Sequence, residues 1–354
     1  MATKFIASQE SSQGPLRLAI PSDGELHEPS LGFLRACGTP VKRASLRRYT
    51  GELDGIPGVT VLLQRSADIP AKVEEGSADL GIVGLDRFHE FRLEGAASLV
   101  IVDNLAYGQS QLLVAVPGGW VDVTTMADLA DLAVEFREAS RELRIATKYP
   151  RLVRSFFHSK GITYFSIVHS SGTLEAAPVM GFADVIADIV STGVTLRENQ
   201  LKTLEDGVIF TSQAALIGNG QSLAASPTKM EKTRILLERI EANMRAREFY
   251  QVTANLAGES EEDVAQHLLK RPDLAGIQGP TIARVYGTGP GRWYAATIVV
   301  RRARLQEAVD HLREMGGNGV SISQPNYLFE RDCEAYQQLV AAVSSKAKAE
   351  PSLV

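Results

Sequence analysis

Residues 16–38 read LRLAIPSDGELHEPSLGFLRACG, and the fold class follows from them. The apolar run Leu16–Ile20 predicts a strand, and Pro21–Gly24 (PSDG) predicts the loop that ends it. Apolar residues then recur at helical spacing over Glu25–Cys37, and Gly38 is the residue type that usually stands just past a helix end. A strand, a loop and a helix in this order predict the opening of an α/β layer.

The same alternation continues as far as Asn219. Candidate strands lie at Val59–Gln64, Leu80–Val83, Ser98–Val102, Leu112–Val116, Leu143–Thr147, Tyr164–His169, Gly207–Thr211 and Ala214–Ile217, with candidate helices at Ile69–Glu75, Met126–Ala139 and Leu152–Ser159. Two candidate strands follow each other closely around Asn104–Gln109, which predicts a crossing between two lobes. We expect lobe I over 16–106 with 196–222 and lobe II over 107–195, each built on a mostly parallel sheet.

The remaining chain predicts a second domain. Gly218–Ser222 is the candidate linker, and residues 223–249 are expected to form a linker helix dense in Lys, Arg and Glu. Over 250–345 the predicted elements read strand, helix, strand, strand, helix, strand. This βαββαβ order is typical of ferredoxin-like modules. Residues 1–15 and 346–354 are expected to be a disordered leader and a disordered tail.

Composition limits the classes of function. Lys and Arg number 37 against 42 Asp and Glu, a net charge of −5 with no basic block, which argues against nucleic acid as a partner. No run reaches the ~18 apolar residues of a spanning helix, and residues 1–14 are too polar for a signal peptide, so no membrane association is expected. Cys37 and Cys333 lack any CxxC or metal-ligand spacing, which favours a reducing compartment and hence the cytoplasm.

The stretch most suggestive of chemistry is Asp188–Leu196 (DIVSTGVTL), in which an acidic residue ends an apolar segment and a hydroxyl- and glycine-rich turn follows. Such a turn aims backbone N–H groups and the hydroxyls of Ser191, Thr192 and Thr195 at one phosphate, and Gly193 permits close approach. Charge-assisted hydrogen bonds are worth about 1.5–3 kcal/mol each, so a few of them hold a sugar phosphate. Asp188 then lies where ribose hydroxyls need an acceptor. On spacing alone, an ordinary strand-to-helix turn capped by Ser or Thr also explains the stretch.

Several short motifs stand before and after this stretch. They are Asp68–Pro70 (DIP), Ala78–Gly84 (ADLGIVG), Ala146–Pro150 (ATKYP), Glu175–Pro178 (EAAP), Gly181–Asp184 (GFAD), Asp188–Leu196, Asn199–Leu201 (NQL), Arg245–Glu248 (RARE) and Pro280–Ala283 (PTIA). In this order they resemble the ATP phosphoribosyltransferase family, long form, over nearly the whole chain. The resemblance implies a bilobal α/β catalytic body of the periplasmic-binding-protein kind, followed by a ferredoxin-like regulatory domain.

The resemblance also implies a reaction. N1 of ATP attacks the anomeric carbon of phosphoribosyl pyrophosphate, giving phosphoribosyl-ATP and pyrophosphate in the first step of histidine biosynthesis. The transition state has oxocarbenium character, so the protein has to fix both substrates and neutralise the departing pyrophosphate. The residues that the resemblance implies are Ser191, Thr192, Gly193, Val194 and Thr195 for the ribose 5-phosphate, Glu175 and Asp188 for the ribose hydroxyls, Arg65 and Lys148 for pyrophosphate, and Tyr107, Gly108, Gln109 and Ser110 for ATP. Taken alone, Arg65 and Lys148 are typical of solvated surface charges.

One loop departs from the family. After the first strand, relatives commonly carry a Lys-Gly pair that helps bind pyrophosphate, whereas this chain has Ser22–Glu25 (SDGE). A carboxylate in place of an ammonium changes the interaction by about 8 kcal/mol at about 4 Å and an effective dielectric near 20. We hypothesise that Asp23 either points away or meets the pyrophosphate through Mg²⁺. The alternative is that Asp23 caps the following helix, with Glu25 favoured by the helix dipole. Leu85-Asp86, where many relatives have a basic residue beside the acid, departs in the same way.

For the C-terminal domain, the resemblance implies feedback inhibition by L-histidine bound between neighbouring domains of a dimer-based hexamer. Asn255 and Thr281 fall where relatives meet the effector, although βαββαβ modules also serve purely for assembly. One rival function is a non-catalytic paralogue that keeps the phosphate loop. A second is a solute-binding protein for an amino acid, which the polar start of the chain and the phosphate loop oppose.

Overall fold

The computed structural model describes residues 14–45, 47–92, 95–169, 173–191, 193–287 and 291–349. These residues form two compact units. The first unit holds Thr39–Thr233 together with the described residues up to Arg35 and from Gln338 onward, and the second holds Ala36–Gly38 and Arg234–Gln337. Within the described ranges, no helix is both long enough and apolar enough to cross a membrane.

Strands and helices alternate through the first unit and recur in the second. The strands are β1 (Leu16–Pro21), β2 (Val41–Lys42), β3 (Thr50–Leu53), β4 (Val59–Gln64), β5 (Leu80–Gly84), β6 (Ser98–Val102), β7 (Ser110–Pro117), β8 (Leu143–Thr147), β9 (Phe165–His169), β10 (Val185–Val190), β11 (Leu201–Ser212), β12 (Ala214–Asn219), β13 (Phe249–Ala257), β14 (Thr281–Val285), β15 (Trp293–Arg301) and β16 (Asn318–Ser323). The helices are α1 (His27–Ala36), α2 (Ile69–Glu74), α3 (Leu85–Phe91), α4 (Met126–Glu138), α5 (Pro150–Ser159), α6 (Val194–Glu198), α7 (Gly220–Ala224), α8 (Pro227–Ala246), α9 (Glu261–Leu268), α10 (Leu305–Glu314) and α11 (Glu334–Ala349).

Lobe I of the first unit is a seven-stranded sheet with the order β2-β3-β4-β1-β5-β12-β6. Its central strands β4, β1 and β5 run parallel, whereas β12 pairs antiparallel with β5 and β6. Every residue of β5 is buried, and Ile69, Val73 and Phe88 from α2 and α3 pack onto this sheet. Because helices and loops cover its faces, its strands are near-continuous apolar runs.

Lobe II is a five-stranded sheet with the order β11-β7-β10-β8-β9. Strands β10, β8 and β9 are parallel, and β7 is antiparallel to both β10 and β11. The prediction of mostly parallel sheets is therefore correct only for β4, β1 and β5 at the centre of lobe I and for β10, β8 and β9 along one side of lobe II. The chain crosses from lobe I to lobe II before β7 and returns to lobe I before β12. Each of these two strands runs opposite to its neighbours in the sheet and therefore pairs antiparallel with them.

The lobe boundary also differs from the prediction. The sequence predicts 196–222 in lobe I, but β11 (Leu201–Ser212) pairs with β7 in lobe II. Helix α6 is a short turn of helix that returns the chain directly to the sheet it has just left. The chain passes back to lobe I only at Gln213, between β11 and β12, so lobe II extends to Ser212.

The second unit contains the predicted βαββαβ module, with the sheet order β14-β15-β13-β16 and antiparallel pairing throughout. This is the strand order of a ferredoxin-like fold. Alternate residues of β13, namely Val252, Ala254 and Leu256, pack against Val264 of α9 and Leu312 of α10. The two helices therefore cover one face of the sheet, and the residues between those three point to the other face.

The predicted linker Gly218–Ser222 is not a linker. It spans the end of β12 and most of α7, and Asn219 is only 4% exposed. The Asn219 side chain accepts a hydrogen bond from Ser222 N at 2.8 Å and donates one to Val73 O at 2.8 Å. A Cβ added at Gly218 would meet Ile101 Cδ1 at 2.6 Å, so glycine stands there for close packing. The division between the units falls inside α8, at Thr233, which makes α8 part of both units rather than a separate linker.

The C-terminal segment is more helical than predicted. The sequence pattern predicts a helix over Asp332–Ser344 and a disordered tail over 346–354, but α11 runs from Glu334 to Ala349. Alanine and lysine near its end are good helix formers, so helical propensity continues past the last apolar repeat. Residues 350–354, and most of the predicted leader, lie outside the described residues.

Candidate active site

A cavity of about 390 Å³ lies where lobes I and II meet. We call it the lobe-junction cavity; its lining residues are Glu25, Leu26, Ser66, Gly84, Asp86, Arg87, Gly108, Gln109, Ser110, Tyr149, Ile189 and Ser191. Lobe I contributes the loops that follow β1, β4 and β5, and lobe II contributes the end of β10 and the start of α5. Ligands of α/β proteins commonly bind outside the ends of such strands, so this cavity is the candidate active site.

The crossing segment from lobe I to lobe II forms one wall of the cavity. Gly108, Gln109 and Ser110 line it, and Tyr107 stands behind them, with its hydroxyl 3.0 Å from Ser30 Oγ and its ring centroid 5.3 Å from that of Phe33. Gly108 has a φ of 70°, and a Cβ there would collide with the Leu26 side chain. The wall therefore requires glycine both for its backbone conformation and for its close approach to lobe I.

The predicted phosphate loop opens directly from the end of β10. Gly193 has a φ of 70° and precedes α6, so the backbone turns sharply where the sequence predicts it. Ile189 and Ser191 line the cavity, while Val194 and Thr195 are exposed on α6. Ser191 Oγ donates a hydrogen bond to Glu25 Oε2 at 3.1 Å, and this contact joins the loop to lobe I. Thr192 lies outside the described residues.

The charges of Glu175 and Lys148, two of the other predicted catalytic residues, act on the pKa of Asp188, although none of the three is among the residues that line the cavity. Burial raises the pKa of Asp188 above its usual range, and the charge of Glu175 raises it further. The Ile189 N–H, Lys148 and Arg87 act in the opposite direction and lower this pKa. Because each of these charges acts on Asp188, Glu175 and Lys148 of lobe II and Arg87 of lobe I lie in the neighbourhood of this carboxyl. Arg65 is exposed at the end of β4 and does not line the cavity, although the next residue, Ser66, does.

A buried network that the sequence analysis missed joins the lobes beside the cavity. The Tyr149 hydroxyl donates to Asp86 Oδ2 at 2.6 Å, and the Ser212 hydroxyl donates to Asp86 Oδ1 at 2.6 Å. Burial raises the pKa of Tyr149 well above its usual range, and the Asp86 carboxylate adds to the effect. The Arg87 Cζ lies 4.2 Å from the Tyr149 ring centroid. One signal was available in the sequence: Asp86 and Arg87 directly follow the buried strand β5, at a strand end where ligands commonly bind.

The loop after β1 does not cap α1 in the way the sequence allowed. Helix α1 begins at His27, and Ser30 N donates to Leu26 O at 3.0 Å, so Leu26 rather than Asp23 occupies the cap position. Asp23 and Glu25 are both exposed, and Glu25 but not Asp23 lines the cavity. In the part of the chain that the structure describes, no three or more His, Cys, Asp or Glu side chains group as metal ligands. A magnesium ion held mainly by substrate phosphates needs only one or two protein carboxylates, and Asp23 lies outside the cavity lining.

The predicted effector residues lie on the uncovered face of the second unit's sheet. Asn255 pairs with Ala295, and Thr281 pairs with Thr297. Thr297 Oγ1 is 2.9 Å from Thr253 Oγ1 on this face. A separate cavity of about 400 Å³ in the same unit includes neither Asn255 nor Thr281; its lining residues are Phe249, Asp273, Gly276, Ile277, Val299, Val300, Arg301, Arg304, Leu328 and Glu330.

Both parts of the chain match models of one protein family. A family model described as ATP phosphoribosyltransferase matches residues 65–242, and a second, described as HisG, C-terminal domain, matches residues 246–324. The first match spans the lobe-junction cavity from Ser66 to Ser191, and the second spans the βαββαβ module.

Named relatives match nearly the whole chain. ATP phosphoribosyltransferase 1, chloroplastic, of Arabidopsis thaliana is 37% identical over 92% of this chain and 80% of its own length. The ATP phosphoribosyltransferase of Bradyrhizobium sp. (strain ORS 278) is 35% identical over 94% of this chain and 99% of its own. Among solved structures, the ATP phosphoribosyl transferase (HisG:HisZ) complex from Thermotoga maritima has 29% identity and a TM-score of 0.49, covering 64% of this chain and 96% of that one.

Proposed function

The chain belongs to the ATP phosphoribosyltransferase family, and we propose that its two substrates react in the lobe-junction cavity. The protein is a pentosyltransferase of histidine biosynthesis that joins ATP to phosphoribosyl pyrophosphate in the first step. One observation supports the cavity as the place of reaction above all others. Ile189 and Ser191, which follow Asp188 at the end of β10, line the same cavity as the crossing segment Gly108–Ser110.

The sugar substrate is proposed to bind on the lobe II side. The loop Ser191–Thr195 receives the 5-phosphate, with backbone N–H groups and hydroxyls as donors and Gly193 as the point of close approach. Glu175 and Asp188 accept hydrogen bonds from the ribose hydroxyls. Their negative charge also stabilises the positive charge that develops on the ribose ring in an oxocarbenium-like transition state. No covalent nucleophile is needed for this displacement.

ATP is proposed to lie along the crossing segment. Gly108, Gln109 and Ser110 supply backbone and side-chain polar groups, and Tyr107 supports them through its contacts with α1. With the base on this wall and the sugar on lobe II, N1 and the anomeric carbon approach each other across the cavity. Holding both reactants in one orientation is the main source of rate in such a bimolecular displacement.

The departing pyrophosphate is proposed to meet Lys148, Arg65 and Asp23. The charge of Lys148 lowers the pKa of Asp188, which supports a place for Lys148 near the proposed ribose site. Arg65 is exposed and reaches the site only if its loop moves toward the substrate. Asp23 would give one carboxylate to a Mg²⁺ ion bound with the substrate phosphates, and such an ion would offset part of their charge.

The test is turnover of the full chain with ATP, phosphoribosyl pyrophosphate and Mg²⁺, followed by the absorbance of phosphoribosyl-ATP while pyrophosphate is removed enzymatically. Glu175→Gln is expected to lower kcat strongly, because one acceptor of the ribose hydroxyls loses its charge. Glu138→Gln, at the exposed end of α4, is the matched control and keeps full activity. Binding of phosphoribosyl pyrophosphate without any product would instead support the non-catalytic paralogue.

The role of Asp23 is tested by titrating Mg²⁺ with the Asp23→Ala variant. A higher Mg²⁺ requirement and weaker binding of the sugar substrate are expected, since one ligand of the bridging ion is gone. Glu28→Ala, an exposed carboxylate in the first turn of α1, is the control. An unchanged Mg²⁺ dependence together with unchanged sugar affinity would exclude the bridging role.

Regulation by L-histidine is a separate proposal for the second unit. Asn255 and Thr281 share the uncovered face of its sheet, where an amide and a hydroxyl are available to the effector. A second candidate is the cavity lined by Arg301, Arg304, Asp273 and Glu330, because a zwitterion needs both signs of charge. Asn255→Ala relieves inhibition if the sheet face binds histidine, whereas Ile277→Glu relieves it if the cavity does. Inhibition that survives both changes contradicts both sites.

Assembly and compartment are proposed from the same resemblance. A dimer-based hexamer is expected, and light scattering of the full chain with and without L-histidine measures it. The cytoplasm is the proposed compartment, with no nucleic acid or membrane as a partner. Two of the relatives, both from Arabidopsis thaliana, are named chloroplastic, so imaging of the tagged full chain distinguishes the cytoplasm from a plastid.

A further inference from the structure

The lobe-junction cavity has an unusual charge balance for a site that takes two polyanions. Among the described residues that line it, Glu25 and Asp86 are carboxylates and Arg87 alone is a cation. The loop Ser22–Glu25 adds no positive charge. Binding of phosphate groups relies on charge-assisted hydrogen bonds from cationic or backbone donors, so the position of Arg87 matters more here than in a basic pocket.

The Arg87 guanidinium is held in a defined place. Its Cζ stacks 4.2 Å from the Tyr149 ring centroid, and its Nη1 donates to Lys148 O at 3.4 Å. A guanidinium has five N–H donors in a planar fork, so a single long bond to a carbonyl leaves donors for an anion. Its charge also lowers the pKa of Asp188, the residue proposed to accept hydrogen bonds from the ribose hydroxyls.

Two hydroxyls keep Arg87 from pairing tightly with the carboxylate beside it. Arg87 Nε is 3.9 Å from Asp86 Oδ2, beyond hydrogen-bond distance. The oxygens of Asp86 are engaged instead by the Tyr149 and Ser212 hydroxyls, each at 2.6 Å. Asp86 is 6% exposed and Tyr149 is 3% exposed, so these bonds are shielded from water and hold their geometry.

We propose that Arg87 binds the pyrophosphate group of the sugar substrate, and that Tyr149 and Asp86 are positioning residues for it. This inference rests on the proposed function, because it names a substrate contact of the same cavity. Arg87 then takes the part that a lysine in the loop after β1 plays elsewhere in the family. Tyr149, which comes from lobe II, both stacks on the guanidinium and occupies the Asp86 oxygen nearest to it.

The test compares steady-state kinetics of the full chain with those of Arg87→Ala and Arg87→Lys. Loss of charge-assisted bonds to pyrophosphate is expected to raise the KM for phosphoribosyl pyrophosphate about 10- to 100-fold in Arg87→Ala, with the KM for ATP unchanged. Arg87→Lys is expected to raise this KM less than Arg87→Ala does, because lysine keeps the positive charge but lacks the planar set of five N–H donors. Arg35→Ala, on the exposed side of α1, is the control. If Arg87→Ala does not fold, Arg87→Gln gives the same readout with most of the stem retained.

A calorimetric titration with inorganic pyrophosphate separates this inference from the proposed function. Weaker pyrophosphate binding in Arg87→Ala supports the inference even if the wild-type chain shows no turnover. Wild-type turnover combined with unchanged pyrophosphate affinity and an unchanged KM in Arg87→Ala overturns it. The two ideas therefore fail in different experiments.

Tyr149→Phe tests the positioning role, because it keeps the stacked ring and removes only the hydroxyl. With Asp86 Oδ2 released, Arg87 is expected to pair with it and withdraw from the substrate, which raises the KM for phosphoribosyl pyrophosphate while kcat changes little. A merely structural hydroxyl would lower the melting temperature and leave that KM unchanged, and this result would overturn the positioning role.

Discussion

The sheets of the two units are made from similar apolar strands but expose different parts of them. In lobe I, β5 (LGIVG) is buried at every position, and the cavity is lined only by its last residue, Gly84, and by residues past its end, Asp86 and Arg87. In the second unit, buried and less buried residues alternate along β13, and Asn255 stands on the uncovered face. A sheet covered on both faces therefore binds at its ends, whereas a sheet with one open face offers side chains along its length.

The largest expected effect comes from a variant at the end of β10, which tests whether the covered sheets of the first unit bind substrate at their strand ends. Asp188→Asn is expected to lower kcat/KM by about 100-fold or more, since a charge that stabilises the developing cation is lost at a desolvated position. Turnover of the variant and of the Glu138→Gln control measures the effect. Activity within a few-fold of wild type would mean that the strand end is not where the reaction occurs.

The same variant gives a pH-dependent change in stability. Because burial raises the pKa of Asp188, the folded state binds more protons than the unfolded state between the usual value of about 3.9 and the raised one, so stability falls as pH rises through that window. Asp188→Asn removes the cost of the buried charge. We expect a higher melting temperature than wild type at pH 7 and no gain below about pH 3.9, where the carboxyl is protonated in both states. A variant less stable at pH 7 would contradict a raised pKa.

Residues at single strand ends were predictable from sequence, and contacts between lobes were not. Asp188 and Gly193 belong to one continuous stretch, whose apolar run and glycine turn fix their relative place without knowledge of the fold. The Asp86 network joins residues 63 and 126 positions apart in the chain, and no local pattern encodes such a pairing. Arg65 and Asp23 were placed by resemblance, and the structure leaves both exposed outside the cavity lining.

The errors at domain boundaries have a physical cause. Gly218, Asn219, Gly220 and Ser222 are residue types of flexible loops, but they stand here because small side chains fit between buried strands and because Asn219 caps α7. Composition does not separate these two uses of glycine and asparagine. Likewise, the long strand β11 carries exposed polar residues at several positions, which hides its pairing with β7 from a search for apolar runs.

A matched pair of isoleucine truncations sharpens the comparison of the sheets. Ile82 in β5 is fully buried, and Ile82→Ala is expected to cost about 2–5 kcal/mol, because a cavity is left between two covered faces. Ile322 in β16 is 47% exposed, and Ile322→Ala is expected to cost less than about 1 kcal/mol. Chemical denaturation of the two variants measures both. Ile322 pairs with Val252 at the edge of the sheet, so equal losses would mean that this edge is covered in solution.

The smallest expected effect concerns Asn219, which the composition predicts to lie in a linker and the structure places at the end of β12. Asn219→Ala removes the bond to Ser222 N that caps α7, and it leaves Val73 O without one of its donors in a buried place. Loss of a helix cap and a buried hydrogen bond together is expected to lower the free energy of unfolding by about 1–2 kcal/mol. The same change in a solvated linker would lower it by only about a few tenths of a kcal/mol. Gln221→Ala, an exposed neighbour within α7, is the matched control and is expected to leave stability unchanged. Equal stability of the two variants would restore the interpretation of Gly218–Ser222 as a linker.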